Sequence, residues 1–169
     1  MQLGDRRRYS FILNIMRVLR DWSIRHSRLL EWTYHHFAKT LVVLHPLWRW
    51  IGYERLERPA AAIERNLKGL MFDCKMCGRC VLSSTGMSCP MNCPKQMRNG
   101  PCGGVRADGC CEVTPTMPCV WVAAVRGSRA MRDGERILAV QAPVDWSQAG
   151  TSAWSRETRA QVESQVEVS

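Results

Sequence analysis

This sequence predicts a mainly α-helical chain with an irregular, metal-organised, cysteine-rich module and little or no β-sheet. Three observations predict it. Apolar residues recur at helical spacing through the first 71 residues, all nine cysteines fall between Cys74 and Cys119, and the cysteine block shows neither strand alternation nor helical periodicity. The composition divides the 169 residues into a basic helical arm (1–71), a cysteine-rich metal-binding domain (72–126) and a polar tail (127–169) that reads as a docking arm.

Phe11, Ile12, Ile15, Met16, Leu19 and Trp22 follow three- and four-residue steps, so a first helix presents them on one face and turns Arg17, Arg20 and Asp21 elsewhere. Leu29, Leu30, Thr33, Phe37 and Leu41 mark a second helix that ends before Pro46. A third carries Leu56, Ala60, Ile63, Leu67 and Leu70, with Pro59 expected near its first turn, where a missing N–H costs nothing. It delivers the chain to Cys74. Gly86, Pro90, Pro94, Gly100, Pro101, Gly103, Gly104 and Gly109 then predict turns, with short helical turns around Cys77 to Leu82 and after Cys119. In the tail, Ser155 to Val166 is a weak helix candidate.

The formal charge is +9, and residues 1–71 hold thirteen Lys/Arg against six Asp/Glu, or +7 before the first cysteine. Such a surface suits an anionic partner: an acidic protein, a membrane surface or nucleic acid. No run of about 18 uncharged apolar residues occurs, so no membrane span is expected. Met1 to Arg8 lacks a signal-peptide pattern, which points to a reducing, cytoplasmic setting where clustered cysteines mean metal or redox chemistry rather than disulfides.

Cys74-Lys75-Met76-Cys77-Gly78-Arg79-Cys80 places three thiolates at C-x2-C-x2-C spacing, which lets one tight loop address three corners of a cubane cluster. Zinc sites more often use two separated pairs, so iron is favoured and zinc is the alternative. Cys89-Pro90, Cys93-Pro94, Cys102, Cys110-Cys111 and Cys119 follow. Nine cysteines divide into eight ligands and one spare, and two four-iron clusters need eight. Adjacent Cys110 and Cys111 diverge in most backbones, so one of them is the spare. Eight residues separate Cys80 from Cys89, and the spacing leaves the pairing of cysteines to clusters open. The 46 residues from Cys74 to Cys119 hold few apolar side chains, so metal is expected to supply their folding free energy.

The cysteine block resembles the methylenetetrahydrofolate reductase C-terminal domain family. The residues that carry the likeness are Cys74, Cys77-Gly78, Cys80-Val81-Leu82, Thr85-Gly86, Cys89-Pro90, Cys93-Pro94-Lys95, Asn99-Gly100-Pro101-Cys102-Gly103-Gly104, Cys111-Glu112 and Cys119-Val120-Trp121, over roughly residues 70 to 125. The resemblance implies that Cys74, Cys77, Cys80, Cys89, Cys93, Cys102, Cys111 and Cys119 hold two 4Fe-4S clusters, leaving Cys110 spare. It also implies an accessory electron-transfer subunit, not catalytic alone. Such a subunit passes electrons from a donor the sequence does not identify to the FMN or FAD of a separate flavin-dependent catalytic subunit. A zinc-organised scaffold that stabilises or recruits the reductase is the alternative. Lys75, Arg79, Lys95, Arg98 and Arg106 lie close in sequence to the ligands and are expected to favour added electrons.

The remaining features have ordinary readings. His26, His35, His36 and His45 lie in the arm, and adjacent helical histidines diverge by about 100°, so surface or packing roles are expected. Trp32, Trp48 and Trp50 read as packing or interface anchors rather than stacking platforms. The run Arg6-Arg7-Arg8 with Arg17, Arg20, Arg25 and Arg28 suits a solvated or partner-facing surface better than nucleic acid, which is not the expected partner. No dinucleotide fingerprint, Walker loop or nucleophile elbow is present, and no flavin or folate site of the chain's own can be assembled.

Overall fold

The computed structural model describes residues 15–167, with side chains as far as residue 165. Phe11, Ile12 and the arginine run at 6–8 lie outside the described residues. Among the described residues six α-helices run in order: α1 (15–25), α2 (Ser27–Val43), α3 (His45–Ile51), α4 (Tyr53–Phe72), α5 (Val120–Ser128) and α6 (Ala153–Glu167). Among the described residues there is no sheet, only two isolated antiparallel bridges, Val105 with Cys111 and Cys110 with Pro118. The expected mainly helical class with an irregular cysteine-rich middle is the one observed.

Helices α1 and α2 are almost continuous, broken at His26. What they bury is small: Ser23, Ile24 and Ser27 are enclosed, and Trp22 is exposed. The Ser27 hydroxyl donates to the Gly127 carbonyl of α5 at 2.7 Å, and Ser23 Oγ lies 3.2 Å from the Met71 carbonyl of α4. The serine side chains let these helices approach closely. Pro46 sits in the first turn of α3, in keeping with the expected stop of α2 before it.

Helix α4 corrects two expectations. It starts six residues before Pro59, which therefore lies inside the helix, because Gly52 (φ 95°) breaks the chain between α3 and α4. Pro59 leaves one intrahelical carbonyl without its amide partner. The buried face is also rotated: Ala61, Glu64, Lys68 and Phe72 are enclosed, while Ile63, Leu67 and Leu70 are 61, 48 and 51 % exposed. A one-residue step turns a helix by about 100°, so a charged pair faces inward where the leucine stripe was expected.

The cysteine-rich segment is not core-free. Cys77, Leu82, Met87, Cys89 and Met91 join Phe72 and Met131 in the buried apolar cluster, with Leu30, Met71 and Val144 packed against it. Its short turns are 3-10 turns at Leu82–Ser84 and Pro90–Asn92. The Thr85-Gly86 pair explains the docking of α5. Gly86 (φ 60°) lies so close to that helix that an added Cβ would stand 2.2 Å from the Ala124 carbonyl oxygen, and a Cβ on Gly127 would meet the Gly86 oxygen at 2.0 Å. Ser88 Oγ donates to the Val120 carbonyl and Trp121 Nε1 to the Met97 carbonyl, which ties α5 to both ends of the following loop. Trp32 and Trp50 are exposed and stay out of this core.

The polar tail returns over the arm. Helix α6 contacts α2, α3 and α4, and Trp154 meets Phe37 edge-on at 4.9 Å between ring centroids. No described helix is long and apolar enough to cross a membrane.

Candidate metal centre

Helix α4 ends at Asp73, whose left-handed conformation (φ 51°) turns the chain into the C-x2-C-x2-C loop. Two further positive-φ residues, Met76 (φ 48°) and Gly78 (φ 76°), coil that loop, and the Met76 N–H points at Cys74 Sγ across 3.4 Å. An N–H directed at sulfur stabilises a thiolate there. After the turn at Leu82–Ser84 the chain comes back so that Cys89 joins the first three: Cys74, Cys77, Cys80 and Cys89 line one small cavity of about 20 Å³. Cys77 and Cys89 are buried, Cys74 is half-buried, and Cys80 is exposed.

The electrostatics report the same proximity. Burial, followed by the neighbouring Cys74, pushes the Cys89 thiol up to about 12, with Cys80 and Cys77 adding to the rise. Burial also raises Cys74, opposed by the Met76 N–H and by Lys68. Tyr34, behind Cys80, is held up to about 12 by burial and then by Cys80. All nine cysteines are free thiols.

Two buried cations border this cavity. Lys68 comes from α4, paired with Glu64 at 2.6 Å, both within the protein. Burial alone would lower its pKa, but Cys80 and Glu64 outweigh that and raise it. Arg98 comes from the loop after Cys93. Its Nε donates to the Ala142 carbonyl at 2.7 Å and its Nη2 to the Arg79 carbonyl at 3.0 Å, while its buried Nη1 has no protein partner.

The tail straps the ligand loop. Gly150 N–H donates to the Met76 carbonyl at 2.8 Å, Arg156 donates to the Gly78 carbonyl, and Gln148 covers Gly78 so closely that a Cβ there would meet the Gln148 oxygen at 2.3 Å. Outside the strap, Cys80 opens onto a cleft of about 790 Å³ walled by Tyr34, Phe37, Leu67, Met71 and Trp154.

The later cysteines are arranged more loosely. The Cys111 N–H donates to the Met117 carbonyl and the Cys119 N–H to the Gly109 carbonyl, so the two bridges draw Cys110, Cys111 and Cys119 into one hairpin-like loop. Lys95, two residues after Cys93, pairs with Glu112, and Cys102 Sγ lies 3.8 Å from the same carboxylate. Cys111 is buried, Cys102 exposed, and Cys93, Cys110 and Cys119 half-buried. Adjacent Cys110 and Cys111 differ in burial, as expected of neighbours that diverge.

Among the described residues no three His, Cys, Asp or Glu side chains gather tightly enough to hold a single ion. A cubane is less compact, because its ligand sulfurs stand on separate corners of a cluster. The first four cysteines fit such a group by donor chemistry: all four line one cavity with Lys68 and Arg98, and the buried Arg98 Nη1 calls for an acceptor of the kind that cluster sulfur provides. The histidines stand apart from that cavity. His26 stacks on Trp22 and His45 meets the Tyr53 hydroxyl, which agrees with the packing roles expected of them. Sequence spacing missed Glu64, Lys68 and the strap residues, since nothing local marks an i,i+4 ion pair as buried.

Residues 53–147 match the family described as methylene-tetrahydrofolate reductase C terminal. The chain belongs to this family. The match covers more than half of the chain and extends beyond the cysteine block on both sides, from the first residue of α4 to the turn under the strap. Membership of the reductase C-terminal family therefore covers the four cysteines of the cavity, with Glu64, Lys68, Arg98 and Ala142 also inside the match, while Thr151, Ala153 and α6 lie outside it. No curated protein and no solved structure matches the chain.

Proposed function

We propose that the chain is an accessory electron-transfer subunit of a methylenetetrahydrofolate reductase system, working in the cytoplasm and not catalytic by itself. The observation that carries this reading is the convergence of Cys74, Cys77, Cys80 and Cys89 on one cavity bordered by buried Lys68 and Arg98, inside the family match. In this reading those four cysteines hold one 4Fe-4S cluster, and Cys93, Cys102, Cys111 and Cys119 hold a second.

A four-iron cluster bound there would supply one-electron storage and transfer. The chain's own residues do the rest. The loop coiled at Met76 and Gly78 presents the sulfurs, and the Met76 N–H steadies the Cys74 sulfur. The strap from Gln148 to Arg156 excludes water from the buried side. Exposed Cys80 gives an open face, toward the cleft, where the flavin of a separate catalytic subunit would exchange electrons with the site. The electron donor is a separate molecule.

The deciding experiment is iron, zinc and acid-labile sulfide analysis of the full chain purified without oxygen. About eight irons and eight sulfides per chain are expected. One or two zincs with no sulfide would replace this reading with a zinc-organised scaffold that stabilises or recruits the reductase.

A further inference from the structure

Five cations lie near the cysteines in sequence, but folding treats them unequally. Lys75 pairs with Asp73, Lys95 with Glu112 and Arg106 with Asp108, all at half-exposed positions where water screens them. Arg79 is exposed. Only Arg98 is buried, and it is joined at the cavity by Lys68, which sequence distance from Cys74 had hidden. Charges inside a protein are screened far less than surface charges, so of the charges lining the cavity these two and Glu64 are the ones water screens least.

We propose that Glu64, Lys68 and Arg98 form a buried charge set that fixes the reduction potential of the cluster held by Cys74, Cys77, Cys80 and Cys89. This rests on the cluster reading above and names the residues that tune it. They are positioning residues. Arg98 is locked by two carbonyls, one of them from Arg79 within the ligand loop, so its cationic fork cannot swing away. Its remaining Nη1 is buried without a protein partner. Lys68 is held between Glu64 Oε1 and the Trp154 ring, 5.1 Å from the centroid. Glu64 Oε2 accepts from Ser152 Oγ at 2.7 Å and from the Trp154 backbone N–H at 3.3 Å, so the start of α6 clamps the pair.

The signs follow from charge. Reduction adds one electron to an already anionic, thiolate-ligated cluster. Removing the Arg98 charge makes that electron less welcome and lowers the potential. Neutralising Glu64 leaves Lys68 uncompensated and raises it, and Glu64→Gln keeps a carbonyl oxygen for Ser152. Opposite shifts from two buried substitutions are something that loosened packing would not produce.

The test is a mediator titration of the full chain, read by electron paramagnetic resonance, on wild type, Arg98→Met and Glu64→Gln, with iron and sulfide measured on each. The ratio of reduced to oxidised cluster at a fixed solution potential should fall about tenfold in Arg98→Met and rise about tenfold in Glu64→Gln, shifts of about 59 mV for one electron. Should Arg98→Met lose its cluster, Arg98→Lys keeps the charge without the fork and is expected to titrate close to wild type. Unmoved potentials, or shifts of the same sign, overturn the charge set. A wild-type protein without iron overturns instead the cluster reading beneath it.

Discussion

The two groups of cysteines are built by different means. Cys74 to Cys89 lie on a loop that enters the apolar core through Cys77, Leu82, Met87, Cys89 and Met91, and the tail is strapped across it. Cys93 to Cys119 run through an exposed loop held by two isolated bridges, a surface Lys95–Glu112 pair and few buried side chains besides Cys111. The difference teaches that packing by itself shapes the first group, whereas little packing orders the second, which is where the proposed cluster would contribute most. Burying apolar surface stabilises by about 25 cal/mol per Å², and only the first group has much of it to bury.

That contrast can be broken or sharpened. The largest effect is expected from Cys77→Ser, which removes a buried ligand from the pre-shaped group and should cut iron and sulfide by about half, the share of one cluster of two. Unchanged metal content would remove Cys77 from the ligand set. Next, Gly86→Ala forces a Cβ into the α5 backbone at a positive φ and should cost on the order of 3 kcal/mol. Chemical denaturation checks this, and an undiminished midpoint would mean that the Gly86–Gly127 contact is dispensable.

Treatment with a chelator under reducing conditions separates the groups directly. Amides at 99–119 should lose protection from hydrogen exchange first, while those at 82–91 stay protected. Simultaneous loss would erase the distinction between them. A smaller effect is expected from Ser27→Ala, which leaves the Gly127 carbonyl without its donor and should cost about 1 kcal/mol in thermal or chemical unfolding. Cys110→Ser should change metal content least of all, because the proposed ligand set takes Cys111 and leaves its neighbour Cys110 out. Loss of iron in that variant would exchange the roles of the two neighbours.

Much of this protein was legible before folding was considered. Apolar spacing marked the second helix and the approach to Cys74, Gly and Pro density marked the irregular block, and motif residues such as Thr85-Gly86 and Trp121 proved to be packing contacts with a clear purpose. The errors share a cause. Helical periodicity says which residues share a face but not which face a neighbour covers, so α4 was expected to bury Ile63, Leu67 and Leu70 and instead buries Glu64 and Lys68. Pro59 was placed near a helix start because the break at Gly52 was not recognised. The cysteine block was expected to lack a core because its apolar residues are few and follow no strand or helix period.

The sequence by itself determined the helical class, the position of the thiol-bearing loop and the family, because these depend on local spacing and residue type. Only the tertiary structure decided which four cysteines share a cavity, that Lys68 and Arg98 border it, and that the polar tail closes over it. Those facts depend on contacts between residues tens of positions apart, such as Arg98 with Ala142 and Glu64 with Ser152, and no local pattern encodes which buried charge will find which partner.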